Sequence, residues 1–288
     1  MRQYLKLIRI EQWVKNAFVF LPVFFSGNLL NFDLLLKSFY GFLIFSFVAS
    51  SIYIVNDYVD IEKDKMHPDK KNRPLASGAI SKKSAIKVFI LLFILTSILI
   101  YFLATYKVAI IVGFYFLMNI AYSFKLKQIA ILDVIIIAIG FLLRVFVGGY
   151  ITGILISDWT IILVFDLALI LALGKRRGEL VNIEVNGGTR KSLDGYNLKF
   201  LNSALAVTCT IATMCYLIFI VSDEVKGRFH HYIIYTFLFV FTAVLRYLQQ
   251  TFVYLKTESP TKLILKDYFL QLLILAWGIS YSILIYNR

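Results

Sequence analysis

The segment Asn56-Asp57-Tyr58-Val59-Asp60-Ile61-Glu62-Lys63-Asp64 places three aspartates where an apolar run, Phe39 to Val55, gives way to a basic loop. At about 100° per residue, Asp57, Asp60 and Asp64 fall within one broad helical face, with Asn56 on the row that continues through Asp60 to Asp64. Carboxylates crowded in this way repel, and a divalent cation or a cationic ligand offsets them. The loop that follows, His67-Pro68-Asp69-Lys70-Lys71-Asn72-Arg73-Pro74-Leu75-Ala76-Ser77-Gly78, is basic and stiffened by two prolines. Acids followed by bases suit a complex of metal with phosphate. Mg2+ takes hard oxygen ligands and bridges carboxylates to a diphosphate, while Lys70 and the two-pronged guanidinium of Arg73 meet the remaining charge. The competing reading is ordinary surface pairing of these acids with Lys63, Lys65, Lys70 and Lys71. His67 is given no proton-transfer role, since it can equally cap the loop or bind phosphate.

A second constellation runs from Tyr122-Ser123-Phe124-Lys125-Leu126-Lys127 through Asp133 to Gly140-Phe141-Leu142-Leu143-Arg144. Asp133 and Arg144 are eleven residues apart, so they can share a face while standing about 16 Å apart along a helix axis. Each needs a polar partner, because an isolated charge within a membrane is costly. Asp133 can hold metal or orient a ribose, and Lys125 and Lys127 can neutralise phosphate; the alternative is an interfacial anchor and a salt bridge between helices. Arg144 lies deeper, where structural pairing and substrate contact are equally open. Gly140, Gly148 and Gly149 read as sites of close helix packing. The third constellation, Lys175-Arg176-Arg177-Gly178-Glu179-Leu180 followed by Arg190-Lys191-Ser192-Leu193-Asp194-Gly195-Tyr196-Asn197, is either an anion-attracting edge or a positive-inside anchor.

The elements that position these residues are membrane helices. A chain of 288 residues, 60% hydrophobic and 16% charged, with mean hydropathy +0.78, cannot cover itself with a soluble surface. Gly, Tyr, Ser and Thr interrupt the apolar runs, as in a packed bundle around a polar cavity. Nine spans are expected at about 14–30, 38–57, 84–104, 107–124, 129–151, 159–174, 203–222, 231–251 and 267–286. That arrangement puts most of the 30 Lys and Arg on the side of the N-terminus, leaving Lys37, Lys107, Lys226, Arg228 and Arg288 opposite and Arg144 and Arg246 within helices. The positive-inside rule then sets the N-terminus in the cytoplasm and the C-terminus outside, and it explains the net charge of +13 without nucleic acid.

The lead from Arg2 to Lys15 reads as mature protein, with two settings open: an interfacial helix with Lys6, Arg9 and Lys15 at anionic headgroups, or a plain flank. Residues 1–288 form a single integral-membrane domain in this reading, with the long loops 58–83 and 175–200 both cytoplasmic. Cys209 and Cys215, six apart in an apolar run, read as packing residues. Glu258-Ser259-Pro260-Thr261-Lys262 and Lys266-Asp267 mark the entrance to the last span. Nucleotide-binding glycine loops, HExxH and nucleophile triads do not occur in the sequence.

Taken together, Gln12-Trp13-Val14-Lys15-Asn16, Asn56 through Gly78, Tyr122 through Arg144, Lys175 through Leu180, Ser192 through Asn202, and Ser259-Pro260-Thr261-Lys262 with Lys266-Asp267 resemble the UbiA-like polyprenyl transferase superfamily, in its decaprenyl-phosphate phosphoribosyltransferase branch. The resemblance covers nearly the whole chain. It implies an all-α, nine-helix polytopic bundle of the inner (plasma) membrane with a cytoplasmic-facing cavity and a lateral route for lipid. It implies Mg2+, the donor 5-phosphoribosyl 1-diphosphate (PRPP), a polyprenyl phosphate acceptor, and surrounding membrane lipids; the branch allows a homotrimer. Carried over to this chain, Asp57, Asp60 and Asp64 look like the metal and catalytic group with Asn56 assisting, and Asp133 like a second acidic contributor. Lys15, Lys70, Arg73, Lys125 and Arg176 look like phosphate contacts, and Tyr122, Lys127, Arg144 and Lys175 complete the substrate-binding set. Isoprenyl-diphosphate enzymes often pair aspartates in their second acidic motif, whereas this chain has Asp133 beside Lys125 and Lys127. The alternatives are a polyprenyl-diphosphate-dependent aromatic prenyltransferase and a transporter of anionic lipid.

Asp60→Asn is expected to reduce Mg2+-dependent turnover strongly while leaving folded protein in the membrane. Full activity with unaltered Mg2+ dependence in the purified variant would refute the assignment of the acidic face.

Overall fold

The computed structural model describes residues 2–66, 70–186, 191–222, 225, 227, 231–255, 263, 264 and 266–286; the side chains at 183–186, 191, 231 and 286 lie outside it. His67, Pro68 and Asp69, Arg190, Lys226, Arg228, Arg288 and the motif from Glu258 to Lys262 fall outside the described residues, as does the Lys191 side chain. Eleven α-helices are described: α1 (Arg2–Leu7), α2 (Leu21–Phe25), α3 (Phe32–Val59), α4 (Ile61–Met66), α5 (Lys82–Leu103), α6 (Tyr106–Phe124), α7 (Leu132–Thr152), α8 (Asp158–Asn186), α9 (Leu198–Val221), α10 (Thr236–Phe252) and α11 (Tyr268–Tyr286). Seven helical stretches among these residues are long and apolar enough to cross a membrane, six of them in α3, α5, α6, α7, α9 and α11, and one spanning Tyr232–Phe252.

Two of the nine expected spans take a different form. The sixth, 159–174, lies within the 29-residue α8, where Asp158, Asp166, Lys175, Arg176 and Arg177 break the apolar run. The first, 14–30, is not one long helix. Residues Ile10–Phe20 wind as a 3-10 helix, and the chain re-forms as the five-residue α2, with Pro22 in its first turn. Proline lacks the N–H that would continue the preceding ladder and is tolerated at a helix start.

The described chain divides into two compact units, Met1–Lys125 with Leu143–Ile156, and Leu126–Leu142 with Ser157–Arg288. In the first, α3 packs on α5 and α6, and the 3-10 stretch lies along α3. Small and polar α3 residues permit that approach. Ser50 Oγ donates to Ile8 O at 2.7 Å and accepts from Trp13 Nε1 at 3.0 Å, and Asn16 Nδ2 donates to Ser46 Oγ at 3.0 Å. These bonds satisfy polar groups that lipid cannot. Gly148 of α7 gives the closest passage: a Cβ there would lie 2.0 Å from Val19 O and 2.9 Å from Val19 C. A core of Leu7, Ile54, Ile61, Leu75, Ile80, Ala85 and Leu92 ties the loop after α4 to α1, α3 and α5.

In the second unit α8 packs along α9, and α10 along α11. Its core includes Val134, Ile170, Leu173, Leu193, Tyr196, Leu201, Leu205, Cys209, Tyr247 and Leu263. Cys209 is a buried packing residue, as expected, and both cysteines are free. Helix starts carry side-chain caps worth about 1 kcal/mol each. Asn197 accepts from Phe200 N at 2.7 Å at the start of α9, and Asp267 accepts from Leu270 N at 2.8 Å at the start of α11. Asp267 also takes Arg246 Nη2 at 2.8 Å.

Gly148→Ala is expected to destabilise the protein by about 1–3 kcal/mol, since backbone rather than a side-chain tip must yield. Gly113→Ala on α6, where a Cβ meets nothing within 4 Å, is expected to be neutral or slightly stabilising. Thermal unfolding of the two purified variants side by side checks the pair.

Candidate functional site

The acidic run folds as the last turns of α3 and the short α4, with Asp60 closing α3 at φ −91°, ψ 9°. Asp60 N still donates to Asn56 O, and Asp64 N to Asp60 O at 2.8 Å, so the helical path bends at Asp60 without losing its ladder. Asp57 and Asp64 point inward, their side chains 2% and 5% exposed. Both reach the same atom: Arg73 Nη1 lies 2.7 Å from Asp64 Oδ2 and 3.1 Å from Asp57 Oδ1. Asp60 is half-buried and stands 3.9 Å from Lys63. Lys65 pairs with Glu62 at 2.9 Å. The surface-pairing reading therefore describes Asp60 with Lys63 and Glu62 with Lys65, whereas Asp57 and Asp64, without Asp60, form an interior pair around a shared cation.

Arg73 is delivered by the turn after Lys70–Asn72. Its N–H donates to Lys70 O at 2.9 Å, and Ser77 N and Oγ donate to Arg73 O at 2.9 and 2.8 Å. Pro74, Leu75, Ala76 and Ile80 are buried beneath the turn and fix its backbone. The Arg73 side chain remains 26% exposed.

Arg9 completes the cluster. Expected at lipid headgroups in one reading of the lead segment, it instead donates from Nη2 to Asp57 Oδ1 and stacks at 4.5 Å over the Tyr53 ring. Its backbone is left-handed, φ 51° and ψ 53°, a conformation that costs a residue with a side chain about 1 kcal/mol or more. The turn bends the chain between α1 and the 3-10 helix and brings the guanidinium onto an aspartate 48 residues away. Nothing in the local sequence marks Arg9 for this place; only the charge balance of the acidic face hints that a further cation is needed.

Among the described residues no three carboxylate, His or Cys side chains gather as a metal group, so the expected trio of Asp57, Asp60 and Asp64 does not form; the two inward carboxylates suit a divalent cation that takes its other oxygens from a phosphate ligand. Their oxygens already converge on one positive nitrogen, so the guanidinium stands where a cation shared by Asp57 and Asp64 would be held.

A second cluster lies in the other unit. Asp133, in the first turn of α7, is fully buried; Arg176 Nε lies 2.8 Å from its Oδ2, and Tyr196 donates to its Oδ1 at 2.7 Å. Tyr196 Oη also accepts from Ile131 N at 2.6 Å. Burial, followed by the bond to Asp133, raises the Tyr196 pKa well above the ordinary phenol value, so the hydroxyl stays a donor. Arg176 is 1% exposed and also bonds Glu179, which lies 3.7 Å from Lys175. Glu179 and Tyr196 lie in the third constellation, and their spacing to Asp133 gives no local signal of this cluster. Arg177 donates to Asn202 Oδ1 at 2.7 Å and Thr251 O at 2.6 Å, joining α8, α9 and α10.

The remaining candidates are placed separately. Arg144 is 7% exposed. It donates from Nε to Asn16 Oδ1 at 2.8 Å and from Nη2 to Tyr115 Oη at 3.1 Å, and its guanidinium lies 4.7 Å from the Phe45 ring. Arg144 is thus set apart from the aspartates of its unit by a distinct set of partners. Lys70 and Lys125 are exposed; Lys15, Asn56 and Tyr122 are half-buried; all five belong to the first unit. Lys127 is half-buried and Lys175 exposed, both in the second.

Arg176→Ala leaves Asp133 as a buried charge without its cation and is expected to cost about 3–5 kcal/mol, with part recovered in Asp133→Asn/Arg176→Gln. Thermal unfolding in detergent checks this. A loss of donor affinity at unchanged stability would instead support direct phosphate contact by Arg176.

Residues 17–185 match the UbiA prenyltransferase family. The chain is 32% identical over 285 residues to the decaprenyl-phosphate phosphoribosyltransferase of Mycolicibacterium smegmatis, covering 95% of this chain and 89% of that protein. To the protein so named in Mycobacterium tuberculosis it is 33% identical over 277 residues, covering 94% and 90%. Among solved structures, a UbiA homologue from Archaeoglobus fulgidus bound to GPP and Mg2+ aligns with a TM-score of 0.71 at 18% identity, across 97% of this chain and 99% of that one. A structure of digeranylgeranylglyceryl phosphate synthase aligns with a TM-score of 0.67 at 19% identity. The expected all-α membrane bundle is the fold these structures share.

Proposed function

The chain belongs to the UbiA prenyltransferase family, and from that premise we propose that it transfers 5-phosphoribose from PRPP to a polyprenyl phosphate, releasing diphosphate. The observation that carries the reading is the near-full-length similarity to two phosphoribosyltransferases acting on decaprenyl phosphate, with 89% and 90% of those proteins covered. In the reaction the bond from ribose C1 to the diphosphate oxygen breaks, its electron pair leaves with diphosphate, and an oxygen of the lipid phosphate forms the new bond to C1. The nucleophile is already an anion, so no side chain is needed as a base, and Glu62, His67 and Tyr122 have no such role. The displacement has oxocarbenium-like character.

Mg2+, when bound, supplies charge neutralisation at the departing diphosphate. Asp57 and Asp64 would hold it, with Asp60 and Asn56 on the neighbouring turns of the same acidic segment. Arg73, Lys70, Lys15 and Lys125 contact phosphate oxygens, and the protein holds the lipid phosphate in line with C1. Asp133 and Arg176 shape the second unit, with Lys127 and Lys175 on its basic edge. Residues 1–288 form one membrane domain of the inner (plasma) membrane, with the N-terminus and active site cytoplasmic and the C-terminus outside. The product is a precursor for cell-envelope glycan.

Purified protein in lipid with Mg2+, PRPP and polyprenyl phosphates of several lengths is expected to yield phosphoribosylated lipid and diphosphate, read by mass. Product formed only from a polyprenyl diphosphate and an aromatic acceptor would replace this reading with prenyl transfer; lipid movement without bond formation would replace it with transport. Arg73→Ala is expected to raise the KM for PRPP roughly tenfold through loss of a charge-assisted contact, in a donor titration at matched protein abundance.

A further inference from the structure

Arg73 has two claims on its guanidinium. In the structure it is the cation of Asp57 and Asp64, with one nitrogen shared between an oxygen of each. In the proposed reaction it is a phosphate contact. The first is incompatible in space with a metal on the same two carboxylates. Mg2+ takes its oxygens at roughly 2.0–2.1 Å, whereas Nη1 occupies the space between the same two oxygens at 2.7 and 3.1 Å.

The two arginines on Asp57 are held differently. Arg9 is 18% exposed, stacked on Tyr53 and placed by a committed left-handed turn. Arg73 rises from a turn whose backbone is hydrogen-bonded and whose neighbours are buried, and its side chain is the more open of the two. Arg73 can therefore swing about its side-chain torsions while the loop stays in place, and Arg9 stays on Asp57 as a fixed counter-charge.

We propose that Arg73 is an exchangeable counter-ion: it neutralises Asp57 and Asp64 before the divalent cation is bound, and turns to the diphosphate of the donor once the cation has taken those carboxylates. This rests on the assignment of Asp57 and Asp64 as metal ligands. It makes Arg73 a competitor of the metal in the absence of donor and a partner of the metal in its presence, so that metal and donor bind with positive coupling through one side chain. The acid pair also stays neutralised before the metal is bound, which avoids two uncompensated carboxylates in the interior.

The test is Mn2+ binding to the purified full-length protein in lipid nanodiscs, read from the free-ion spin-resonance signal, first with Mn2+ alone and then with PRPP added. Without donor, Arg73→Gln and Arg73→Ala are expected to bind Mn2+ roughly three- to tenfold more tightly than the wild type, since a competing charge-assisted contact is gone. With donor present the advantage is expected to disappear or reverse. Both variants are compared, because Gln keeps the length of the side chain and protects the test against a local collapse in Ala. Unchanged or weaker Mn2+ affinity in both variants without donor overturns the exchange while leaving the metal assignment standing. Wild-type protein that binds no Mn2+, or whose Mn2+ affinity is insensitive to Asp64→Asn, overturns the metal assignment and the exchange together.

Discussion

A carboxylate drawn into the interior of a membrane bundle has to meet a cation there, because neither lipid nor packed aliphatic side chains can solvate it. Both units obey this constraint with the same chemistry. Asp57 and Asp64 share Arg73, with Arg9 added on Asp57; Asp133 meets Arg176 and the hydroxyl of Tyr196. What differs is access. The Arg73 guanidinium is partly open, while Arg176 and Asp133 are closed off. An open pair can exchange its cation for another; a closed pair works as a post that fixes the start of α7 against α8 and the segment before α9. The same residue types thus form one pair whose cation is partly open and one that is closed off.

The second constraint is backbone satisfaction. A 3-10 stretch within the first unit can lie close along α3 because α3 offers Ser46 and Ser50 in place of large side chains, and because α7 places Gly148 where the Val19 carbonyl passes. Arg144 closes that arrangement from within, joined to Asn16 and Tyr115 and covered by the Phe45 ring. This gives the Gln12–Asn16 motif a structural meaning: Trp13 and Asn16 anchor the N-terminal segment whose preceding turn carries Arg9 onto Asp57. The acid cluster therefore depends on packing well below it in the bundle.

The long apolar helices were legible because their signal is local: runs of hydrophobic residues with polar breaks, each read within its own window. The first span is legible as an apolar run but not in its broken helical form. Its apolar content satisfies the membrane, but Pro22 and the close approach to α3 and α7 leave no room for a continuous α-helix. The sixth was legible in position and obscured in character by Asp166 and the basic end of α8. Spacing groups Asp57, Asp60 and Asp64, of which the structure brings Asp57 and Asp64 onto Arg73 and leaves Asp60 beside Lys63. For Arg9 both headgroup contact and a plain flank are open in the sequence, and its place on Asp57 has no local signal; nor has the place of Glu179 or Tyr196 beside the Asp133 pair.

Sequence alone determined the membrane class, the acidic face and the basic loop beside it, since each is written in composition or in spacing of a few residues. Tertiary structure alone decided which cation meets which acid. Arg9 and Asp57 lie 48 residues apart, Tyr196 and Asp133 63, and Arg144 and Asn16 128. No local periodicity links such pairs. They are selected when helices pack and each buried charge must be matched by whatever opposite charge or hydrogen-bonding group the fold brings within reach.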